Sequence, residues 1–226
     1  MRIILIGYPC SGKGTHSNFI SKKYKIPKIS TGDLLREIIL KKNKKYIKIK
    51  KKMEKGELIS DKNIIKLVKK RISKKDCNKG YILDGFPRTI KQVKMMYKEK
   101  LKINFIIELL ISKKIILKRA LGRKIHLNSG RIYHKIYNPP LINNKDDITG
   151  EKLITRKDDN IKVIKKRINE YKKFKKIFFK FYKNKKIRKN VKIIKINAKK
   201  KLKNIQIKIK KILKKEDFCA LQDSNL

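Results

Sequence analysis

The stretch that most limits how this chain folds is residues 2–15, RIILIGYPCSGKGT. Four β-formers in a row, Ile3, Ile4, Leu5 and Ile6, stop at Gly7, and a loop punctuated by Gly12 and Gly14 opens into a helix-like segment. Strand, glycine loop and helix in that order make a phosphate-binding unit. Gly7 and Gly12 let backbone N–H groups close around phosphate oxygens with no Cβ in the way, and Lys13 adds a positive charge at the outer phosphates. The implied ligand is a nucleoside triphosphate. Gly14 before Thr15 departs from the commonest GxxxxGK[ST] spacing, but the flanking strand and helix argue against an ordinary glycine turn.

The rest of the chain continues the alternation of strand and helix. A helix runs to Tyr24 and breaks at Ile26-Pro27, a short strand ends at Ile29, and Ser30-Thr31-Gly32-Asp33 offers N-cap chemistry to a helix carrying Arg36. Residues 41–55 are weakly amphipathic and stop at Gly56. Ser60-Asp61 is expected to cap the next helix, whose Ile64, Ile65, Leu67, Val68 and Ile72 follow the helical period. Tyr81-Ile82-Leu83-Asp84 reads as a second buried strand ending in a carboxylate. In a phosphate-loop protein that carboxylate organises Mg²⁺ and its waters.

A run over 105–111 is the next strand, and the helix after it is expected to carry Arg119 and Arg123 on one face at i, i+4. Residues 122–159, with Pro139-Pro140, Asn143-Asn144 and Gly150, read as a small β-rich insert outside the main sheet. A long helix over 160–186 shows the stripe Ile164, Ile168, Tyr171, Phe174, Phe178, Phe181, and Arg167 on that line is expected to face inward. A last strand at 192–196 and a helix at 200–213 close the fold. Alternation of this kind predicts a parallel sheet covered on both faces.

Composition separates signal from background. With 226 residues the chain suits one core with inserts. Its formal net charge of +49 invites a nucleic-acid reading. Only ten of the 67 basic residues are arginine, however, and the lysines are spread evenly beside equally pervasive isoleucine, a bias that A/T-rich codons produce by themselves. Seven arginines, Arg36, Arg88, Arg119, Arg123, Arg131, Arg156 and Arg167, fall in or beside motifs, where a planar fork grips phosphate as lysine does not. Cys10, Cys77 and Cys219 are odd in number and far apart, which argues for a reducing compartment and against a thiolate zinc site. No signal peptide and no membrane span is evident, so a cytoplasmic protein is expected. From Asp217 onward lysine vanishes, and residues 215–226 are expected to form a disordered tail without function.

Taken together, GYPCSGKGT at 7–15, STGDLLRE at 30–37, GYILDGFPRT at 80–89 with Gln92, LGRK at 121–124, SGRIYH at 129–134 and TRKDD at 155–159 resemble the bacterial adenylate kinases of the long-lid form over residues 1–214. The resemblance implies a five-stranded parallel sheet flanked by helices, with a core of 1–29, 60–121 and 160–214. It further implies a helical AMP-binding insert at 30–59 and a β-rich lid at 122–159. The implied reaction is MgATP + AMP = 2 ADP by a monomer. Its partners are ATP, AMP and ADP, with no specific nucleic acid and no membrane. A monophosphate kinase for another base is the nearest rival, and a basic nucleic-acid-binding protein the rival from another class.

The implied roles follow the motifs. Lys13, Arg88, Arg123, Arg156 and Arg167 are the catalytic cations. ATP is met by Gly7, Cys10, Ser11, Gly12, Lys13, Gly14 and Thr15, then by Arg119, Arg123, Tyr133, His134 and Lys200. AMP is met by Thr31, Leu35, Arg36, Met53, Glu57 and Ile59, then by Gly85, Phe86, Arg88, Gln92, Arg156 and Arg167. Asp33 and Asp84 hold Mg²⁺ through water, and Asp158 and Asp159 position lid arginines. Where some relatives bind zinc, His126, Ser129, Asp146 and Thr149 look like a hydrogen-bonding quartet, so no zinc is expected. Three departures stand out. Tyr8 and Cys10 replace small residues and are expected to crowd the phosphate loop, and Asn197-Ala198 stands where Asp-Gly is common.

Overall fold

The computed structural model describes residues 1–40, 46–184, 187 and 191–222, with the side chains of 215–222 left out of the description. In chain order the main elements are β1 (Arg2–Gly7), α1 (Lys13–Tyr24), β2 (Lys28–Ser30), α2 (Thr31–Leu40), α3 (Ile47–Glu54), α4 (Asp61–Ile72), β3 (Tyr81–Asp84) and α5 (Ile90–Lys98). Then come β4 (Phe105–Leu110), α6 (Lys113–Leu121), β5 (Arg123–Ile125), β6 (Ile132–His134), α7 (Ile161–Phe181), β7 (Lys192–Asn197) and α8 (Leu202–Gln222).

Five strands form one parallel sheet in the order β2-β3-β1-β4-β7. Because side chains alternate along a strand, the isoleucine-rich run of β1 feeds two cores at once. Ile4 and Ile6 join Leu83, Ile106, Phe174 and Phe178 on one face, and Ile3 and Leu5 join Ile82, Ile107, Ile164 and Ile209 on the other. The long helix α7 contributes to both. The chain passes from β1 to β2 and β3 on one side, then crosses to β4 on the other, so the sheet order reverses beside β1. The crevice beyond the carboxyl ends of strands at such a reversal is where ligands bind in open α/β sheets. The glycine loop leaves β1 into that crevice.

Residues 122–159 stand apart from this sheet, as expected, with their own antiparallel pair β5-β6 and isolated bridges Ile125–Ile154 and Lys145–Lys152. Three local expectations need correction. Arg123 does not continue α6: the helix ends at Leu121 with Gly122 as its C-cap, and Arg123 opens β5. A Cβ at 122 would come within 2.5 Å of the His134 ring, so a side chain here would force that ring to move. Ser60 precedes α4 but makes no side-chain cap bond, whereas Thr89 and Asn160 cap α5 and α7 by accepting from Gln92 and Val163 amides. The tail expected from 215 is helical to Gln222. No glycine or proline interrupts residues 202–222, so nothing local stops that helix. Residues 223–226 lie outside the described residues, as do residues 41–45, 185 and 186 from the expected amphipathic and long-helix segments.

Candidate active site

The crevice is a single cavity of about 620 Å³ running from the glycine loop to the insert around α2 and α3 and up to the β5-β6 unit. Its floor is set by the carboxyl ends of the strands. Gly12 sits at φ 95°, a conformation only glycine adopts freely, and turns the chain into α1 so that the first helical amides face the cavity. Lys13 donates from Nζ to the carbonyls of Gly7 and Tyr8, both at 2.8 Å. Burial lowers its pKa to about 8.

Four arginines converge on this cavity from different elements. Arg88, after β3, donates from Nε to the Gly85 carbonyl at 2.6 Å. Burial, with Arg167 next in importance, lowers its pKa to about 10. Arg156, leaving the β-rich insert, keeps a buried Nε with no hydrogen-bond partner among the described residues. Its pKa is also lowered to about 10, by burial and then by Arg36 and Arg123. Arg123 is held by Asp159, donating from Nε at 2.7 Å and from a terminal nitrogen as well. Burial opposes its charge, but nearby Cys10 and Asp159 outweigh it and hold the guanidinium above its ordinary range. Arg167, on α7, donates to Asp158 at 2.7 Å. Burial pushes the Asp158 carboxyl up, yet Arg167, Arg123 and Arg156 together bring it below its usual value.

The insert supplies a second half. Thr31 donates its hydroxyl to the Gly85 carbonyl at 3.0 Å. Gln92 accepts from the Arg88 amide at 2.7 Å and donates to Asp61 at 2.9 Å, so both ends of its amide are engaged. Asp61, which also accepts from Thr89 at 2.9 Å, is a site-orienting residue that the sequence pattern presented only as a helix start. Asp33 pairs with Arg36 and, at 3.4 Å, with Lys28. Burial resists its ionisation, but Arg36 and Lys28 lower it to about 2.

Most of the expected residues meet here. On the glycine-loop side Cys10, Gly12, Lys13, Gly14 and Thr15 line the cavity, joined by Arg119, Arg123, Tyr133, His134 and Lys200. From the other side come Thr31, Leu35, Arg36, Met53, Glu57 and Ile59, with Gly85, Arg88, Gln92, Arg156 and Arg167, and the carboxylates Asp33, Asp84 and Asp158. The exceptions are instructive. Phe86 is fully buried in the core beneath the site, Ser11 is fully buried behind the loop, and Asp159 lies behind Arg123. Gly7 reaches only a smaller adjoining cavity. Tyr8 does not crowd the cavity: its ring turns away and meets Tyr171 edge-on at 4.6 Å. Cys10 does line it, at φ 56°. At the expected Asp-Gly position, the Ala198 carbonyl accepts from Arg119 at 3.0 Å.

Hard oxygen donors suit Mg²⁺ with its waters. Asp84 fits, since its carboxylate faces the cavity at the end of β3 and, among the described residues, only the Ser17 hydroxyl, at 3.3 Å, hydrogen-bonds it. Asp33 fits less well, because each of its oxygens already holds a cation.

The β-rich unit is organised differently. His126 Nδ1 meets Ser129 Oγ at 2.7 Å, and Thr149 donates to Asp146 at 3.0 Å. Asp146 is in addition gripped by Arg131 through two bonds at 2.8 and 2.5 Å and by the Tyr133 hydroxyl at 2.9 Å. Arg131, above all, holds the Asp146 carboxyl far below the usual carboxylate range. Glu151 binds His126 Nε2. Arg131, Tyr133 and Glu151 complete the quartet. Of these, Arg131 stood out as one of the few arginines and Tyr133 through the SGRIYH motif, whereas Glu151 carried no sequence signal.

Comparison with known proteins agrees with this geometry. Residues 5–187 match the family model described as adenylate kinase. Among curated relatives, the adenylate kinase of Buchnera aphidicola from Acyrthosiphon pisum (strain Tuc7) is 50% identical over 95% of this chain and 100% of its own length. That of Buchnera from Cinara cedri is 53% identical over 92% of this chain and 95% of its own. The Photorhabdus laumondii protein of the same name is 47% identical over 76% of this chain and 80% of its own.

Proposed function

Since the chain belongs to the adenylate kinase family, we propose that it catalyses reversible transfer of the terminal phosphoryl group of MgATP to AMP, giving two ADP. One observation carries this reading: a single cavity joins the glycine-loop residues to the insert residues with Arg88, Arg156 and Arg167 lining it. The attacking atom is an AMP phosphate oxygen, already anionic, so no general base is needed. Catalysis then consists of holding two polyanions in line and neutralising the group in flight.

The residues divide the work accordingly. The glycine-loop amides and Lys13 hold the ATP phosphates, and Arg119 covers the ATP base. Arg36 and Arg88 hold the AMP phosphate, in a pocket whose shape is fixed by Thr31 and Gln92. Arg123, Arg156 and Arg167 surround the migrating group. The unpartnered Nε of Arg156 and the lowered pKa values of Lys13, Arg88 and Arg156 support this, because each is a buried cation short of negative charge. Mg²⁺, when bound, neutralises and orients the ATP phosphates. Asp84 is the carboxylate we assign to its waters, and Asp33 we assign instead to steering Arg36.

We read residues 30–59 and 122–159 as the moving AMP-binding insert and lid, and the protein as a cytoplasmic monomer that requires no nucleic acid. Among the described residues no helix is long and apolar enough to cross a membrane. The lid is held without zinc in this reading: the Asp146 carboxylate is already saturated by Arg131, Tyr133 and Thr149. Stoichiometric zinc in the purified protein would contradict that. A coupled assay across AMP, GMP, CMP and UMP with MgATP tests the function itself. AMP is the expected preference, and preference for another monophosphate would overturn the assignment.

A further inference from the structure

Tyr8 is the one bulky residue in the glycine loop whose side chain leaves the site. Its ring packs with the core on the α1 and α8 side of the sheet, and its edge contact at 4.6 Å and 64° is with Tyr171, which packs with the core on the other side. Tyr171 lies one helical turn beyond Arg167 on α7, on the same face. Its hydroxyl is buried and makes no hydrogen bond of ordinary geometry among the described residues. Neighbouring Glu108 pairs one oxygen with Lys175 at 2.5 Å, and after burial it is this carboxylate that most raises the pKa of the Tyr171 hydroxyl. Ring packing against Tyr8 and, at 6.3 Å, Phe174 holds Tyr171 beside it.

The main chain of Tyr8 points the other way. Its carbonyl accepts from Lys13 Nζ at 2.8 Å. One residue thus holds the Lys13 ammonium with its backbone and touches the Arg167 helix with its ring. We propose that Tyr8 is a positioning residue that, through Tyr171, fixes the separation of Lys13 and Arg167 across the phosphoryl-transfer centre. This rests on the phosphotransfer reading above. A group bound to only one side of the centre feels one of these cations, whereas a phosphoryl in flight is neutralised by both, so their relative position bears on turnover more than on affinity.

The test compares Tyr8→Leu, which removes the ring but keeps apolar bulk, with Tyr8→Phe, Tyr171→Leu and the double Leu variant, in steady-state phosphotransfer. Tyr8→Leu is expected to lower kcat about 3- to 10-fold, the scale of one aromatic pair, with KM for MgATP and for AMP changed by less than about twofold. Tyr8→Phe should restore wild-type kcat, and the double variant should be no slower than the slower single. Unchanged kcat in Tyr8→Leu, a rise in KM for MgATP alone, or losses that add in the double variant would overturn the proposal. If Tyr171→Leu does not fold, the Leu and Phe variants at Tyr8 decide by themselves. A wild-type protein with no phosphotransfer would refute the underlying reading instead, which keeps the two failures distinct.

Discussion

Arg131 and Arg88 are half-buried guanidinium groups in one chain, and they live under opposite electrostatic rules. In the β-rich unit, Arg131 makes two bonds to the buried Asp146 carboxylate, and its own pKa is raised, chiefly by that hydrogen bonding. In the cleft, the Arg88 side chain has, among the described residues, only a backbone carbonyl as its hydrogen-bond partner, and its pKa is lowered to about 10 by burial and by Arg167. Saturation makes the first a structural clasp. Deficit fits the second to the receptor role proposed above, because a bound phosphate would supply the missing charge. Lys13 and Arg156 follow the cleft rule, and Asp159 with Arg123 shows that pairing is used inside the cleft only to aim a cation, not to fill the site.

This contrast is most exposed to test by deletion. Arg88→Ala or Lys13→Ala should each lower kcat by about 10²–10³, as for loss of one preorganised donor, while the thermal midpoint stays the same or rises, since a strained buried cation is removed. A variant that loses both activity and stability together would show that these cations are structural. Arg131→Ala should do the reverse. It strands the Asp146 carboxylate, so the β-rich unit should melt early in amide hydrogen exchange while the core sheet keeps its protection.

Acid should separate the regions next. Asp146 is depressed in the folded state, so its contribution is present above the unfolded value near 4 and is lost as pH falls through the lower folded value. Protection of the β-rich unit against exchange should therefore fade below about pH 4. Base acts on the cleft. Lys13 is lowered to about 8, and its charged form is the useful one, so kcat/KM for MgATP should fall as pH rises through about 8. The kcat profile should break at higher pH, because bound phosphates favour the protonated amine. A flat profile from pH 7 to 9.5 would remove Lys13 from the site.

The smallest effect expected is at Cys10. A non-glycine residue at φ 56° costs roughly 1–2 kcal/mol, so Cys10→Gly should raise stability by about 0.5–1 kcal/mol once the greater freedom of unfolded glycine is set against it. Urea unfolding measures it. A destabilised Cys10→Gly would mean that the thiol's packing outweighs the strain.

How much of this was legible follows from which interactions are local. The glycine loop and the buried strands were readable because backbone geometry and period-two burial leave marks in adjacent residues. The arginines of the cleft were readable because arginine is scarce here. Arg123 was misplaced on a helix because i, i+4 spacing says nothing about a C-cap glycine lying between the two positions. Phe86 sits in a nucleotide motif yet serves the core, and motif membership does not separate those roles. The clasp of Arg131 and Glu151 onto the quartet, the hold of Asp61 on Gln92 and the turn of Tyr8 toward Tyr171 span 15 to 163 residues of sequence separation in three dimensions, beyond any local pattern.

The central claim is that the cleft's uncompensated cations serve phosphoryl transfer between two adenine nucleotides. The direct measurement is a nucleotide balance in a mixture of the purified chain with MgATP and AMP. The account predicts two ADP formed for each ATP and each AMP consumed, with no ADP when AMP is left out. ADP formed at the same rate without AMP, or AMP left unconsumed while ATP disappears, would contradict it.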